Sequence, residues 1–430
     1  MQKVKFFLLF ILTISFTVSS QVRDLQNWRP NDHRGINVFE SPVVDTVGYD
    51  GFMIRVGGDF AMQFQGLNQS NDAGTLVDLG TDFNLPNANL SLDVQLLDGV
   101  RMHLRTFLSS RHHAEAWIKG GHMQISNFDF IRHGFLGGLM EFTNVTVGLD
   151  EFNYGDAHFR RTDNARAIFN PFVGNYIMDS YSTEAFGEIT VQRNGLLAVI
   201  GLTNGKLNQN VVVTDNSDNK PSFFGKLGFD RQLNQDLRVR LTGSWYINNG
   251  TTTGTWLYGG DRAGSRYYSV LHSVANPETG TPAQGGSFDG RYNARFTKIT
   301  AFQFNPFIKY QGLEFFGVLE HASGNNEFTQ PQPDKEGAFT QLAGELLYRF
   351  GANENFYIGG RYNTVSGKMR ESATDNIEIS RVNIGGGWYL SKNILTKIEY
   401  VKQNYNGDAW TGRFAGAEFS GINLEAVIGF

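Results

Sequence analysis

The stretch NLSLDVQLLDGVRMHLRTFL, residues 89 to 108, alternates with a strict period of two. Leu90, Leu92, Val94 and Leu96, then Val100, Met102, Leu104, Thr106 and Leu108, form one set. Asn89, Ser91, Asp93 and Gln95, then Arg101, His103, Arg105 and Phe107, form the other. A β-strand throws successive side chains to opposite faces, so the pattern is that of two strands, with Asp98-Gly99 as the hairpin turn. The hairpin is oily on one face and carries three bases on the other. Two surroundings satisfy it: a second sheet against the oily face, or lipid on that face and water on the charged one.

The same reading continues along the chain. Strand character falls at 52–66, 88–97, 100–110, 115–126, 139–151, 183–193, 195–204, 220–231, 236–249, 295–310, 312–323, 337–350, 353–367, 376–390, 392–405 and 418–430, sixteen segments in all. Asp98-Gly99, Asn194-Gly195, Gln311-Gly312, Gly351-Ala352-Asn353 and Ser391-Lys392-Asn393 are tight turns at alternate connections. Between them come longer polar connections at 67–87, 152–182, 205–219, 250–294, 324–336, 367–375 and 406–417, with 111–114 the short exception. Short turns at one end and long loops at the other predict an all-β, up-and-down antiparallel transmembrane barrel of about sixteen strands. In the last strand Ile422, Leu424, Ala426, Ile428 and Phe430 share one face, and Asn423 and Glu425 the other. Phe430, Trp245, Tyr246, Tyr348, Phe350, Trp388 and Tyr389 are candidates for interfacial aromatic girdles. A soluble all-β protein is the competing fold. It fits poorly, because few of the strands lack polar residues on their second face.

No run after the N-terminus approaches 18 consecutive apolar residues, so a spanning structure has to be a barrel. The first twenty residues, MQKVKFFLLFILTISFTVSS, place Lys3 and Lys5 before an apolar stretch and Val18 and Ser20 before a cleavage point. This is the pattern of a signal peptide, 1–20, for export to the cell outer membrane of a Gram-negative envelope. It leaves 21–51 as a periplasmic N-terminal segment and 52–430 as the barrel. Removing Lys3 and Lys5 from 37 basic residues leaves 35 against 42 acidic ones, a net charge of about −7. That balance gives no support for nucleic-acid binding. The chain has no cysteine, which excludes a disulfide scaffold, a thiolate metal site and a lipoprotein anchor.

Two stretches carry a family likeness. NWRPNDHRGINVFE (27–40) and FNYGDAHFRRTDNARAIFNPFVGNYIMD (152–179) are similar to segments of porin-like outer-membrane proteins common in Bacteroidota. The architecture resembles the sixteen-stranded trimeric porins of the phosphate-selective and dicarboxylate-type groups. The likeness implies a water-filled homotrimeric channel with one loop folded inward to narrow each pore. No arginine–lysine motif matches the phosphate-selective pattern residue by residue, so the solute stays open.

With the oily faces turned to lipid, the inward set can be named. It contains Arg55, Asp59, Gln63 and Gln65, then Asp93, Gln95, Arg101, His103 and Arg105. Arg238 and Arg240 follow, then Glu345, Arg349, Arg361, Lys397, Glu399 and Glu425. A lipid-facing Arg or Lys costs about 2–4 kcal/mol at the bilayer midplane, which forces the inward assignment. Arg101, His103 and Arg105 read either as a strip that draws anions or as bases paired with Asp93, Asp59 and other acids. The loop 152–182 carries Asp156, His158, Arg160, Arg161, Asp163 and Arg166, then IFNPFVGNY. It reads as a constriction with Arg160, Arg161 and Arg166 at the narrowest point, pinned by Phe169 to Phe172, or else as an outward or trimer-contact loop. Residues 250–294 read as a surface loop, with GSRYYSVLH as a short lid or interface strand.

Enzymatic signals are weak. His112 and His113 are adjacent, so on a strand they face opposite ways and serve one metal poorly. No HExxH, phosphate-binding glycine loop or GxSxG elbow is present, and no cofactor is implied. The expected function is a passive outer-membrane channel for small hydrophilic solutes, with anions the candidate class. A non-conducting structural or secretion-associated barrel and an outer-membrane enzyme are the alternatives.

Overall fold

The structure, a computed structural model, describes residues 24–44, 47–109, 116–161, 166–207, 211–212, 219–250, 257–259, 267–276, 281–282, 288–296, 298–325, 337–369 and 375–430. The expected export signal, 1–20, and His112, His113 and Asp163 lie outside the described residues.

The chain runs through β1 (Met53–Ser70), β2 (Thr81–Leu97), β3 (Val100–Phe107), β4 (Trp117–Ile125) and β5 (Thr143–Glu151). Then come β6 (Thr183–Arg193), β7 (Leu196–Thr203), β8 (Ser222–Gln232) and β9 (Leu237–Asn248). Four short loop strands follow: β10 (Tyr267–Tyr268), β11 (Val274–Asn276), β12 (Thr281–Pro282) and β13 (Phe288–Asp289). The remaining strands are β14 (Lys298–Tyr310), β15 (Leu313–Asn325), β16 (Gly337–Phe350), β17 (Phe356–Lys368), β18 (Ile377–Ser391), β19 (Ile394–Asn406) and β20 (Glu418–Gly429). Apart from the four loop strands, all sixteen close into one antiparallel barrel in chain order, and β20 pairs with β1 from Glu418 to Gly429. The expected fold class is the observed one.

Tight turns gather at one end. Asn194 and Gly195 join β6 to β7 with φ of 52° and 83°, the left-handed pair that an Asn-Gly hairpin supplies. One connection at this end is longer than the sequence reading assumed. Residues 126–142 include a helical turn at Gly137–Met140, so β5 starts at Thr143 instead of 139. At the other end the first loop is shorter than expected. Gly66 pairs with Thr81, which leaves only 71–80 between β1 and β2. Pro86 disguises this strand in the sequence. Leu85 and Pro86 sit where the register shifts opposite Met62, a bulge that spares proline a ladder hydrogen bond.

The outer face is apolar. Ile358, Ile384, Ile398, Leu424 and Phe430 are exposed there, whereas Tyr357, Asn383, Lys397, Glu399, Asn423 and Glu425 beside them are buried. Tyr348, Phe350, Phe356 and Trp388 form a stacked outer row with ring centroids 5.6–5.9 Å apart. Two girdle candidates face the other way. Tyr246 and Tyr389 are buried inside the barrel, because each directly follows an outward tryptophan and a strand cannot point both outward. Tyr246 stacks on Phe152, and Tyr389 donates its hydroxyl to the Ile168 carbonyl at 2.9 Å.

Candidate functional site

The barrel interior is charged, and the period of two puts the charges there. Asp93 accepts from Arg101 at 3.2 Å and sits 2.8 Å from His103 Nδ1. Across to β4 and β5, His122 Nδ1 lies 2.8 Å from Asp150, and Arg105 Nη1 lies 3.9 Å from the same carboxylate. The His103 and His122 rings are 5.2 Å apart. Arg105 Nε and His103 Nε2 are buried with no hydrogen-bond partner among the described residues, as is Arg55 Nε. Arg55 packs its guanidinium 3.9 Å over Trp28, and Asp59 accepts from Asn87. The strip is therefore both paired and basic.

The described residues of 152–182 run inside the barrel and are fastened to the opposite wall. Tyr357 and Tyr389 hydroxyls donate to the Pro171 and Ile168 carbonyls, each at 2.9 Å. The Lys397 ammonium reaches the carbonyls of Ala167, Asn170 and Phe172 at 3.0–3.2 Å. Gln341 both accepts from the Met178 amide and donates to its carbonyl at 2.8 Å, as a neighbouring strand would. Phe169 and Phe172 are buried in this anchorage.

The loop arginines divide into two roles. Arg160 donates to Glu314 at 2.8 Å and to Glu345 at 2.5 Å. Arg161 clamps Asp179 with two bonds of 2.8 and 2.6 Å and stacks on Tyr181. Both are almost completely buried, so they fasten the loop. Arg166 faces the remaining space, where it pairs with Glu151 and donates to the His158 carbonyl at 3.0 Å. Arg240 and Lys226 both reach Asp156 at 2.8 Å, and Arg238 binds Asp230. Burial would raise the Asp156 carboxyl, but Arg240 and Lys226 outweigh it and hold it well below its ordinary value.

The residues before β1 also lie in the barrel, at its short-turn end. Glu40 receives Arg240 at 2.8 Å and Lys226 at 3.3 Å. Burial opposes ionisation of Glu40, yet Arg240 and Lys226 bring it down to about 2. Much of the described part of 250–294 is likewise inside instead of on the surface. Leu257, Tyr258, Tyr267, Val270 and Leu271 are buried in the interior cluster at the long-loop end. Tyr258 and Tyr154 both donate to Glu320, at 2.9 and 3.0 Å, and β10 pairs with β13. The apolar spacing in the loop sequence was too irregular to signal this burial. Glu314, Glu320 and Lys226 were also overlooked, although the alternation around them points each inward.

Among the described residues a string of cavities runs along the β2–β6 wall. One of about 110 Å³ is lined by Trp28, Arg29, Asp93, Arg101, His103, Arg105 and Arg166 among others. A second, of about 100 Å³, shares Ser41, His122, Glu151 and Arg166 with it. A third, of about 500 Å³, shares Glu40 with the second and reaches the β6–β9 turns beside Arg238 and Arg240. Among the described residues no group of His, Asp and Glu is arranged to hold a metal ion.

No family model matches the sequence, and no curated protein matches it. Solved structures do match by fold. The anion-selective porin from Comamonas acidovorans is 10% identical with a TM-score of 0.52, covering 88% of this chain and 100% of that one. The outer-membrane channel DcaP of Acinetobacter baumannii is 10% identical with a TM-score of 0.52, covering 89% and 99%. The trimer form of OmpT, an outer membrane protein of Vibrio cholerae, is 9% identical with a TM-score of 0.50, covering 89% and 100%. At these identities the likeness is one of fold, the closed sixteen-stranded barrel of outer-membrane porins.

Proposed function

We propose that the protein is an outer-membrane porin, a passive diffusion channel for small hydrophilic solutes that favours anions. The observation that carries this reading is the charge of the first cavity. Arg29, Arg101, Arg105 and Arg166 stand against the Asp93 and Glu151 carboxylates, a formal side-chain charge of +2 with histidines neutral. Fixed cations in a narrow, poorly screened passage raise local anion concentration and lower the barrier to anion entry. The apolar exterior with a charged interior supports insertion in lipid, and residues 1–20 supply an export signal consistent with the outer membrane. The trimer form of one structural neighbour supports a homotrimer, and the likeness of 27–40 and 152–179 supports kinship with Bacteroidota porin-like proteins, while only the architecture speaks for the phosphate- or dicarboxylate-type groups.

Planar-bilayer recording of the refolded protein tests the reading. Stable conductance steps are expected, with a reversal potential in asymmetric KCl on the chloride side. Absence of steps, or a cation-selective potential, overturns it. The packed interior favours one second reading, a structural barrel that does not conduct, and the same recording separates the two.

A further inference from the structure

Residues 24–44 touch three separate sectors of the strand ring. Gln26 Nε2 donates to Asp98 at 3.0 Å and Ser126 donates to Asn27 at 2.9 Å, beside β2–β4. The His33 amide donates to the Lys392 carbonyl at 2.7 Å, at the β18–β19 turn. Asn37 donates to Glu314 on β15 at 2.7 Å, and Glu40 receives Arg240 on β9. Taken in chain order these contacts step around the ring, so the segment winds along the inside of the opening at the short-turn end.

The winding segment also meets the inward loop. Arg29 donates to the Phe159 carbonyl at 3.2 Å and lays its guanidinium 3.9 Å over Phe169. Asn37 accepts from Arg160 at 2.7 Å. Gly35 is a close approach that only glycine allows, since a Cβ there would come within 2.7 Å of the Phe169 ring and 2.1 Å of the Pro30 carbonyl. Between these contacts the segment presents Trp28 and Arg29 to the cavity that holds Arg101, His103 and Arg105. Most of its fastenings are hydrogen bonds and ion pairs, which water and counter-ions can replace on release.

We propose that residues 24–44 are a removable strap that builds the short-turn half of the constriction, with Trp28 narrowing the passage and Arg29 adding to its anion filter. This rests on the channel reading above, and it assigns to the strap a share of the selectivity that the loop arginines Arg160 and Arg161 do not supply. A chain lacking 24–44 behind its export signal, refolded into planar bilayers, should conduct severalfold more than the full chain, with a chloride-to-potassium permeability ratio nearer unity. A synthetic peptide of residues 24–44, added from the strap side, should bring conductance back down. In the full chain, Trp28→Ala should raise the influx of uncharged sugars into vesicles with little change in reversal potential. Arg29→Gln should lower the permeability ratio with little change in sugar influx.

A folded deletion that conducts like the full chain overturns the strap. If the deletion does not fold, the two point variants decide, and wild-type values for both overturn it. A silent full chain with a conducting deletion supports the strap and refutes an open intact channel. Silence of both chains refutes both readings.

Discussion

Leu104 and Arg105 are neighbours in sequence and stand on opposite faces of the barrel wall. Arg105 is buried beside Asp150, whereas Leu104 is half-buried on the outer face. Leu104→Arg should therefore cost about 2–4 kcal/mol where it meets hydrocarbon, while Arg105→Leu leaves the lipid face untouched and leaves Asp150 its 2.8 Å contact with His122. Folded yield in lipid vesicles, read by heat-modifiable gel migration, should fall for Leu104→Arg and hold for Arg105→Leu. His158 gives a pH-dependent expectation. Burial brings it from 6.5 to about 4, against the pull of Glu151 at 3.7 Å and with Lys226 and Arg166 opposing its charge. The unfolded or undocked chain then binds this proton first as pH drops, so docking is fully stable above about 6.5 and loses up to roughly 3 kcal/mol as pH falls to 4. Channel noise should grow over that window in the wild type, and His158→Gln should remove this part of the dependence. Noise that is flat with pH in the wild type would refute the docking role of neutral His158.

At the scale of elements, strands were legible and the pairing inside the barrel was not. Lipid enforces a strict period of two, so the inward positions of Arg55, Asp93, Arg101 and Arg105 could be read from alternation alone. Pairing could not, because Arg160 meets Glu314 and Glu345 across more than 150 residues of chain, and local pattern carries no signal of that distance. The burial of 267–271 within 250–294 was not legible for a related reason. A segment buried in a polar interior can satisfy its backbone with side chains, as Gln65 does for Tyr268 and Gln69 for Leu271, and so needs no apolar periodicity of its own. Replacing residues 166–178 by a short Gly-Ser linker should raise single-channel conductance and leave the barrel's far-UV circular dichroism dominated by strand. Unchanged conductance would mean that the loop does not limit the passage.

The molecule as a whole is acidic, with a formal charge of −5, yet its open cavity is lined by excess arginine. If the proposed channel conducts through this cavity, net charge and selectivity are set by different residues, and the difference can be measured. Arg101, Arg105 and Arg166 face the first cavity, and their removal takes its side-chain charge from +2 to −1, because Arg29 alone is left against Asp93 and Glu151. The triple Gln variant at these positions should reverse the sign of the reversal potential in asymmetric KCl. Arg160 and Arg161 are spent on Glu314, Glu345 and Asp179, so their double Gln variant should loosen the loop and add noise without reversing selectivity. The contrast should be largest at about 0.1 M salt, where the screening length is about 10 Å, and smaller at 1 M, where it is about 3 Å. Screening acts weakly in a passage as narrow as these cavities, so the sign of the triple variant's potential should survive the higher salt. Reversal by the Arg160 and Arg161 pair, with none from the triple variant, would place the filter on the loop anchors and refute the cavity as the path of permeation.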